Sequence, residues 1–196
     1  MEQNYGYLEV IMGPMFSGKT SKLIDIHKQY SFCNIPVLVV NHADDNRYDK
    51  DQLCTHDGKK IDCEKWNTLS DFMFHHAVQL MDESPLAILI NEGQFFSDLY
   101  SSVKRLVGVY NKHVYVCGLD GDFKRETFGQ MLDIIPLCDK VYKLHSLCIR
   151  CKNGNRAIFS HRLVQDLDNE DVQKVVGSSE TYIPVCRKCY DYYNKK

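Results

Sequence analysis

The sequence predicts an α/β fold in which helices flank a mostly parallel sheet, followed by a small C-terminal unit. Short apolar runs alternate with helical segments over the first two thirds of the chain, and a glycine-bearing turn follows the first run. Two Cys-x-x-Cys pairs near the C-terminus mark the second unit. We therefore expect one domain over residues 1–145 and another over residues 146–196.

Local periodicity predicts the individual elements. The first strand is predicted at residues 7–12, and residues 19–32 then repeat apolar side chains at helical spacing. Three further apolar runs without polar alternation predict strands buried in a parallel sheet, at residues 36–41, 85–90 and 112–117. A helix at about residues 98–109 precedes the last of them. The polar segment 44–63 predicts a loop or hairpin on the ligand side of the sheet.

The charge balance excludes several classes of protein. The 196 residues carry 24 Lys and Arg against 26 Asp and Glu, a net charge of -2, so no overall field attracts nucleic acid or an anionic membrane. The apolar runs are far shorter than the ~20 residues of a membrane-spanning helix. The N-terminus is acidic and polar, unlike a signal peptide. We expect a cytoplasmic protein that binds neither nucleic acid nor a membrane.

The strongest motif is the segment Gly13-Pro14-Met15-Phe16-Ser17-Gly18-Lys19-Thr20, which fits the pattern G-x-x-x-x-G-K-[ST] between a predicted strand and a predicted helix. Such a P-loop curls its backbone N–H groups around phosphate oxygens, and the start of the helix adds partial positive charge. Lys19 can reach the β- and γ-phosphates, and the Thr20 hydroxyl can bind Mg²⁺. The alternative is a glycine-rich turn that serves packing alone.

Polar residues follow two other predicted strands. Glu92 comes after the run at 85–90, where a carboxylate could act as general base for an incoming hydroxyl; a solvated strand end is the alternative. Asn91 occupies the position where P-loop enzymes usually have the aspartate that holds Mg²⁺ or its water. Asp45 and Arg47 follow the run at 36–41, whose carboxyl end borders the ligand crevice in open α/β sheets.

The two cysteine pairs, Cys148 with Cys151 and Cys186 with Cys189, have the spacing of a closed tetrahedral Zn²⁺ site. Such a site would contribute folding free energy to a polar segment. Two redox-active pairs, or pairing by chance, are the alternatives. The tyrosines and lysines after Cys189 are typical of a polar terminal tail.

Five segments in order along nearly the whole chain resemble the zinc-containing thymidine kinases of animal cells, many bacteria and large DNA viruses. They are the P-loop, residues 45–48 with 55–57, residues 92–96, residues 119–123 with 128–129, and the paired cysteines. The resemblance implies a P-loop NTPase-like fold with a small zinc-binding lasso domain. It also implies transfer of the γ-phosphoryl group of ATP to the 5′-hydroxyl of thymidine or deoxyuridine.

The same resemblance implies a role for each site residue. Glu92 would take the proton from the 5′-hydroxyl. The residues implied in binding ATP or its phosphates are Gly13, Pro14, Met15, Phe16, Ser17, Gly18, Lys19, Thr20, Arg47, Asn91 and Gln94. Those implied in binding thymidine are Met15, Asp45, Phe123, Phe128, Ser160, Gln173, Lys174, Val175, Val176, Gly177 and Tyr182. Residues 173–177 of this group belong to an implied lasso, residues 165–182. The lasso closes over the base and holds it largely by main-chain hydrogen bonds.

The implied cofactors are ATP, catalytic Mg²⁺ and structural Zn²⁺, and the implied assembly is a homotetramer under feedback by thymidine triphosphate. Because Asn91 lacks a carboxylate, we expect a higher Mg²⁺ requirement, and we expect Asn91→Asp to leave the function of Glu92 intact. Two other classes stay open: a nucleotide-binding regulator without catalysis, and a zinc-ribbon nucleic-acid-binding protein whose P-loop drives remodelling. The charge balance lacks the basic stripe that the second class needs.

Overall fold

The computed structural model describes residues 5–45, 52–55, 58–163 and 181–194. Its strands are β1 (Tyr7–Met12), β2 (Val37–His42), β3 (Gln52–Cys54), β4 (Lys60–Asp62), β5 (Glu64–Trp66), β6 (Ala87–Ile90), β7 (His113–Gly118), β8 (Lys140–Lys143), β9 (Ser146–Leu147), β10 (Arg156–Ala157), β11 (Phe159–Arg162) and β12 (Tyr182–Val185). Its α-helices are α1 (Lys19–Phe32), α2 (Leu69–His75), α3 (Ala77–Met81), α4 (Leu99–Gly108) and α5 (Arg187–Tyr193). Among the described helices, none has the length and apolarity needed to cross a membrane.

Six strands form one parallel sheet in the order β5-β2-β6-β7-β1-β8. The predicted α/β fold is therefore confirmed, and the four predicted strands and two predicted helices agree with the structure to within two residues at each end. The two edge strands were not predicted. β5 has only three residues, and most of β8 is exposed, so neither shows the apolar run of a buried strand.

Apolar side chains pack on both faces of the sheet. On one face, Leu8, Val10 and Met12 of β1 join a cluster with residues of α2 and α4. On the other face, Ile11 packs in a second cluster with residues of α1. This alternation along β1 buries both sides of the strand, as expected for a parallel sheet covered by crossover helices.

The polar segment after β2 contains the antiparallel pair β3 and β4, which confirms the predicted loop or hairpin at this end of the sheet. Beyond the main sheet, β9 pairs with β10 and β11 pairs with β12, each antiparallel. These strands and α5 enclose a third apolar cluster, separate from the first two, that includes Cys148, Val185 and Tyr190.

The expectation of a polar C-terminal tail was wrong. Residues 187–193 form α5, and Tyr190 is buried against Phe159, with a ring separation of 5.2 Å. The Tyr190 hydroxyl also donates a 2.6 Å hydrogen bond to the carbonyl oxygen of Phe123, which follows β7. The apolar surface that orders this helix comes from distant parts of the chain, so local composition could not indicate it.

Candidate functional site

The candidate site lies at the carboxyl edge of the sheet. The P-loop follows β1, Glu92 follows β6 and Asp45 follows β2, and these strands lie parallel in the order β2-β6-β7-β1. Their carboxyl ends therefore lie at the same edge of the sheet, where open α/β sheets bind ligands. Tertiary structure thus brings together three segments that the sequence separates.

The P-loop has the backbone conformation of a tight strand-to-helix turn. Gly13 has φ 152°, and a Cβ atom built there would lie 2.6 Å from the carbonyl oxygen of Leu144, so only glycine fits. Gly18 is left-handed at the start of α1, and Thr20 lies in the first turn of that helix. The Lys19 ammonium donates hydrogen bonds of 3.0 Å to Gly13 O and 2.9 Å to Pro14 O, which holds it over the loop.

Two further polar groups of the P-loop bear on its function. The Ser17 Oγ atom is buried and has no hydrogen-bond partner among the described residues, so an enclosed hydroxyl is available to a ligand. The Met15 N–H donates a 3.1 Å hydrogen bond to Ser160 Oγ, and both residues are buried. Ser160 lies on β11, so this bond joins the P-loop to the C-terminal unit.

Glu92 is buried at the end of β6 in the left-handed conformation, with φ 53° and ψ 42°. That conformation costs about 1–3 kcal/mol for a residue other than glycine and concentrates at functional sites. Gln94 Nε2 donates a 2.5 Å hydrogen bond to Glu92 Oε2, while Gln94 Oε1 accepts a 2.9 Å bond from Leu119 N. Gln94 thereby fixes the Glu92 carboxylate relative to the end of β7.

Asp45 and Asn91 belong to one buried hydrogen-bond network. Asn41 Nδ2 donates to Asp45 Oδ2 over 3.0 Å, and Asn91 Nδ2 donates to Asn41 Oδ1 over 3.0 Å. The Lys65 ammonium donates a 2.7 Å bond to the Asp45 carbonyl, which anchors the main chain there. Sequence reasoning missed Asn41; its only local signal is a polar residue within the apolar run of β2.

The predicted aromatic residues come from two hairpin-like segments. Phe128 is buried and packs edge-on against Phe95 at 5.5 Å. The Arg162 guanidinium lies 5.0 Å from the Phe123 ring centre. Arg162 on β11 pairs with Tyr182 on β12 in the antiparallel register. Burial raises the pKa of Tyr182, so its hydroxyl stays neutral. Tyr182 and Phe16 of the P-loop both line a cavity of about 470 Å³.

The four cysteines of the two pairs converge, as predicted, with their sulfur atoms all within 4.8 Å of one another. Burial opposes ionisation of Cys148, yet hydrogen bonds from the backbone of Cys151, Cys186 and Arg150 lower its thiol pKa to about 6. Burial and hydrogen bonds to Cys148 and Cys186 raise the pKa of Cys189 to about 12. Four thiols this close can ionise together only if a shared cation compensates their charge, and the donor set fits tetrahedral Zn²⁺.

Some predicted site residues lie outside the described residues. They are Arg47, Gln173, Lys174, Val175, Val176 and Gly177. The remaining predicted residues all lie in the P-loop, at the carboxyl edge of the sheet or in the C-terminal unit that contacts the P-loop.

Comparison with known proteins decides the family. Residues 6–190 match the family model described as thymidine kinase. The chain belongs to the thymidine kinase family. The thymidine kinase of Oryza sativa subsp. japonica is 39% identical over 94% of this chain and 66% of its own length. Thymidine kinase a of Arabidopsis thaliana is 40% identical over 94% of this chain and 75% of its own length.

A viral relative matches over nearly its whole length. The thymidine kinase of Sheeppox virus (strain KS-1) is 35% identical over 95% of this chain and 98% of its own length. As a thymidine kinase, the chain is an ATP-dependent phosphotransferase, and its substrates are thymidine and ATP. The resemblance stated from the motifs is therefore confirmed.

Proposed function

We propose that this thymidine kinase transfers the γ-phosphoryl group of ATP to the 5′-hydroxyl of thymidine or deoxyuridine at the carboxyl edge of the sheet, with Glu92 as the general base. The observation that carries this assignment is the strained, buried Glu92, held by Gln94 at the same edge as the P-loop. A carboxylate fixed in this way can receive a proton without reorganising.

The P-loop binds the triphosphate in this proposal. Its backbone N–H groups and the Lys19 ammonium, which already lies over the loop, contact the phosphate oxygens. The enclosed Ser17 hydroxyl gains the partner that it lacks among the described residues. Thr20 would hold Mg²⁺, which when bound neutralises charge on the phosphates. Since Asn91 offers no carboxylate to that ion, the Mg²⁺ requirement is expected to be high.

The transfer step itself moves one proton and one phosphoryl group. The 5′-hydroxyl gives its proton to Glu92, and its oxygen forms a bond to the γ-phosphorus. The bond from that phosphorus to the β–γ bridging oxygen breaks, and ADP leaves with the electron pair. The Asp45 carboxylate accepts a hydrogen bond from the 3′-hydroxyl, and this fixes the 5′-oxygen near the γ-phosphate.

Enclosure of the thymine base is assigned to the aromatic residues and the lasso. Met15, Phe123, Phe128, Ser160 and Tyr182 form the wall, and residues 173–177 contribute main-chain hydrogen bonds. The bond between Ser160 and Met15 supports this assignment because it couples the base-binding unit to the phosphate-binding loop. The four cysteines would hold Zn²⁺ and thereby anchor both ends of the lasso, and Arg47 lies near the phosphates in this proposal.

The proposal also includes a division of the chain between residues 145 and 146. It further includes assembly as a homotetramer and feedback inhibition by thymidine triphosphate. The separate apolar cluster around Tyr190 supports the division. Family membership favours catalysis over the regulator and the nucleic-acid-binding alternatives.

The proposed base is tested by the change Glu92→Gln, which keeps the size of the side chain and removes its basicity. We expect kcat for thymidine to fall about 10²–10⁴-fold, while the Kd values of ATP and thymidine stay close to those of the parent. Glu126→Gln, a change at an exposed carboxylate, is the matched control and should leave kcat unchanged. A Glu92→Gln protein that turns over like the parent would refute the role of Glu92.

A further inference from the structure

A buried chain of hydrogen bonds runs from β7 to Asp45 and passes through two asparagines. Cys117 Sγ donates to Asn91 Oδ1 over 3.0 Å, Asn91 Nδ2 donates to Asn41 Oδ1 over 3.0 Å, and Asn41 Nδ2 donates to Asp45 Oδ2 over 3.0 Å. Each of these four residues is at most 3% exposed. The chain therefore links the ends of β7, β6 and β2 out of contact with bulk water.

The direction of every bond in the chain follows from amide chemistry. A side-chain amide has one oxygen that only accepts and one nitrogen that only donates. The backbone N–H of His42 can only donate, so the Asn41 atom that it contacts is the amide oxygen. That oxygen can only accept, so the NH₂ group of Asn91 faces Asn41 and the oxygen of Asn91 faces the Cys117 thiol. The oxygen of Asn41 accepts that bond and a second 3.0 Å bond from the backbone N–H of His42. The NH₂ group of Asn41 consequently faces the Asp45 carboxylate.

We propose that Asn41 and Asn91 are a pair of positioning residues, which orient the Asp45 carboxylate so that it receives the sugar hydroxyl of the nucleoside. This rests on the proposed role of Asp45. The two amides supply a donor to Asp45 without placing a second charge in the network. Asn91 accordingly serves nucleoside binding through Asn41, in addition to any contact that it makes with the Mg²⁺-bound phosphates.

The change Asn91→Asp separates this role from metal binding. A carboxylate at position 91 has no hydrogen to donate. Asn41 must therefore turn its NH₂ group away from Asp45 in order to donate a hydrogen bond to the new carboxylate. The oxygen of Asn41 then faces the Asp45 carboxylate and also loses the His42 bond. Since a hydrogen bond to a charged group is exchanged for repulsion, we expect the Kd and KM for thymidine to rise about 10-fold or more.

The network also predicts which kinetic constants should stay unchanged. Glu92 and the P-loop are outside the network, and Asn41 has no assigned contact with ATP, so Asn41→Ala should leave kcat and the KM for ATP within about twofold of the parent at saturating Mg²⁺. Asn41→Ala, which removes the donor to Asp45 without adding charge, should raise the thymidine Kd in the same direction. Asn34→Asp is the matched control because it makes the same exchange at an exposed position.

The experiment measures thymidine binding by isothermal titration calorimetry without ATP, together with steady-state kinetics in both substrates, on the parent and the three variants. A rise in thymidine Kd for both network variants, with an unchanged ATP KM for Asn41→Ala, supports the proposal. It is overturned if Asn91→Asp binds thymidine like the parent. It is also overturned if Asn41→Ala impairs kcat and the binding of both substrates equally, because that pattern indicates a merely structural role.

The binding arm also separates this inference from the proposed reaction. A parent protein that binds thymidine and transfers no phosphoryl group refutes the proposed reaction, while the binding data still decide the role of the asparagines. A parent protein that binds no thymidine refutes the inference, because Asp45 would then have no nucleoside to receive.

Discussion

The hydrogen bond between the P-loop and β11 offers a direct test of how the two units cooperate. Ser160→Ala removes the acceptor for the Met15 N–H, whose hydrogen bond to Ser160 Oγ is 3.1 Å long and fully buried. An unsatisfied buried donor costs about 1–3 kcal/mol. For a protein of this size, 1 kcal/mol shifts Tm by about 2–4 °C, so we expect Tm to fall by roughly 2–12 °C.

Loss of this hydrogen bond should also affect catalysis, because Met15 is part of the proposed phosphate-binding loop and Ser160 is part of the proposed base wall. We expect the KM values for both ATP and thymidine to rise for Ser160→Ala, whereas a change confined to the base wall would affect thymidine alone. Differential scanning calorimetry and steady-state kinetics measure the two effects. Ser31→Ala, at an exposed serine on α1, is the control and should change neither.

The reasoning fails if Ser160→Ala melts within 1 °C of the parent and keeps both KM values. Such a result would mean that Met15 N–H finds another acceptor, so the bond to β11 would not couple the two units.

Three further predictions concern stability and the P-loop. Asp98→Ala should lower the free energy of unfolding by about 2 kcal/mol, since Asp98 accepts the N–H groups of Leu69 and Ser70 at the start of α2. Partial burial opposes ionisation of Asp98, yet these bonds and those from the serine hydroxyls lower its pKa from the ordinary 3.8. The stabilisation is therefore complete well above pH 3.8 and is lost as the pH falls through the lowered value, so urea melts should show a smaller difference between the two proteins at pH 3 than at pH 7. Gly13→Ala should raise the KM for ATP at least about 10-fold, because the added Cβ meets the Leu144 carbonyl, whereas Gly108→Ala, with open space at its Cβ position, should not. Removing Zn²⁺ with a chelator should lower Tm and raise the thymidine KM, and added Zn²⁺ should restore both; an unchanged protein after verified metal loss would refute the anchoring role of the four cysteines.

Local sequence patterns predicted much of the sheet and the P-loop. A buried strand such as β6 is a continuous apolar run, and the turn after β1 needs glycine at position 13, so near neighbours determine both features. The cysteine spacing likewise predicted which sulfur atoms would meet. Edge strands β5 and β8 escaped prediction because β5 has only three residues and most of β8 is exposed, so neither carries an apolar run.

The remaining features depend on contacts between distant parts of the chain. Met15 and Ser160 are 145 positions apart, and Asn41 and Asn91 are 50 positions apart, so no local pattern links them. Helix α5 is ordered by Tyr190, whose partners lie on β11 and near Phe123. The sequence by itself determined the buried strands of the sheet, the glycine turn after β1 and the two cysteine pairs, because each depends on backbone and side-chain preferences over a few residues. Only the tertiary structure decided which side chains orient Glu92 and Asp45, because a hydrogen bond joins whichever groups the sheet brings within about 3 Å.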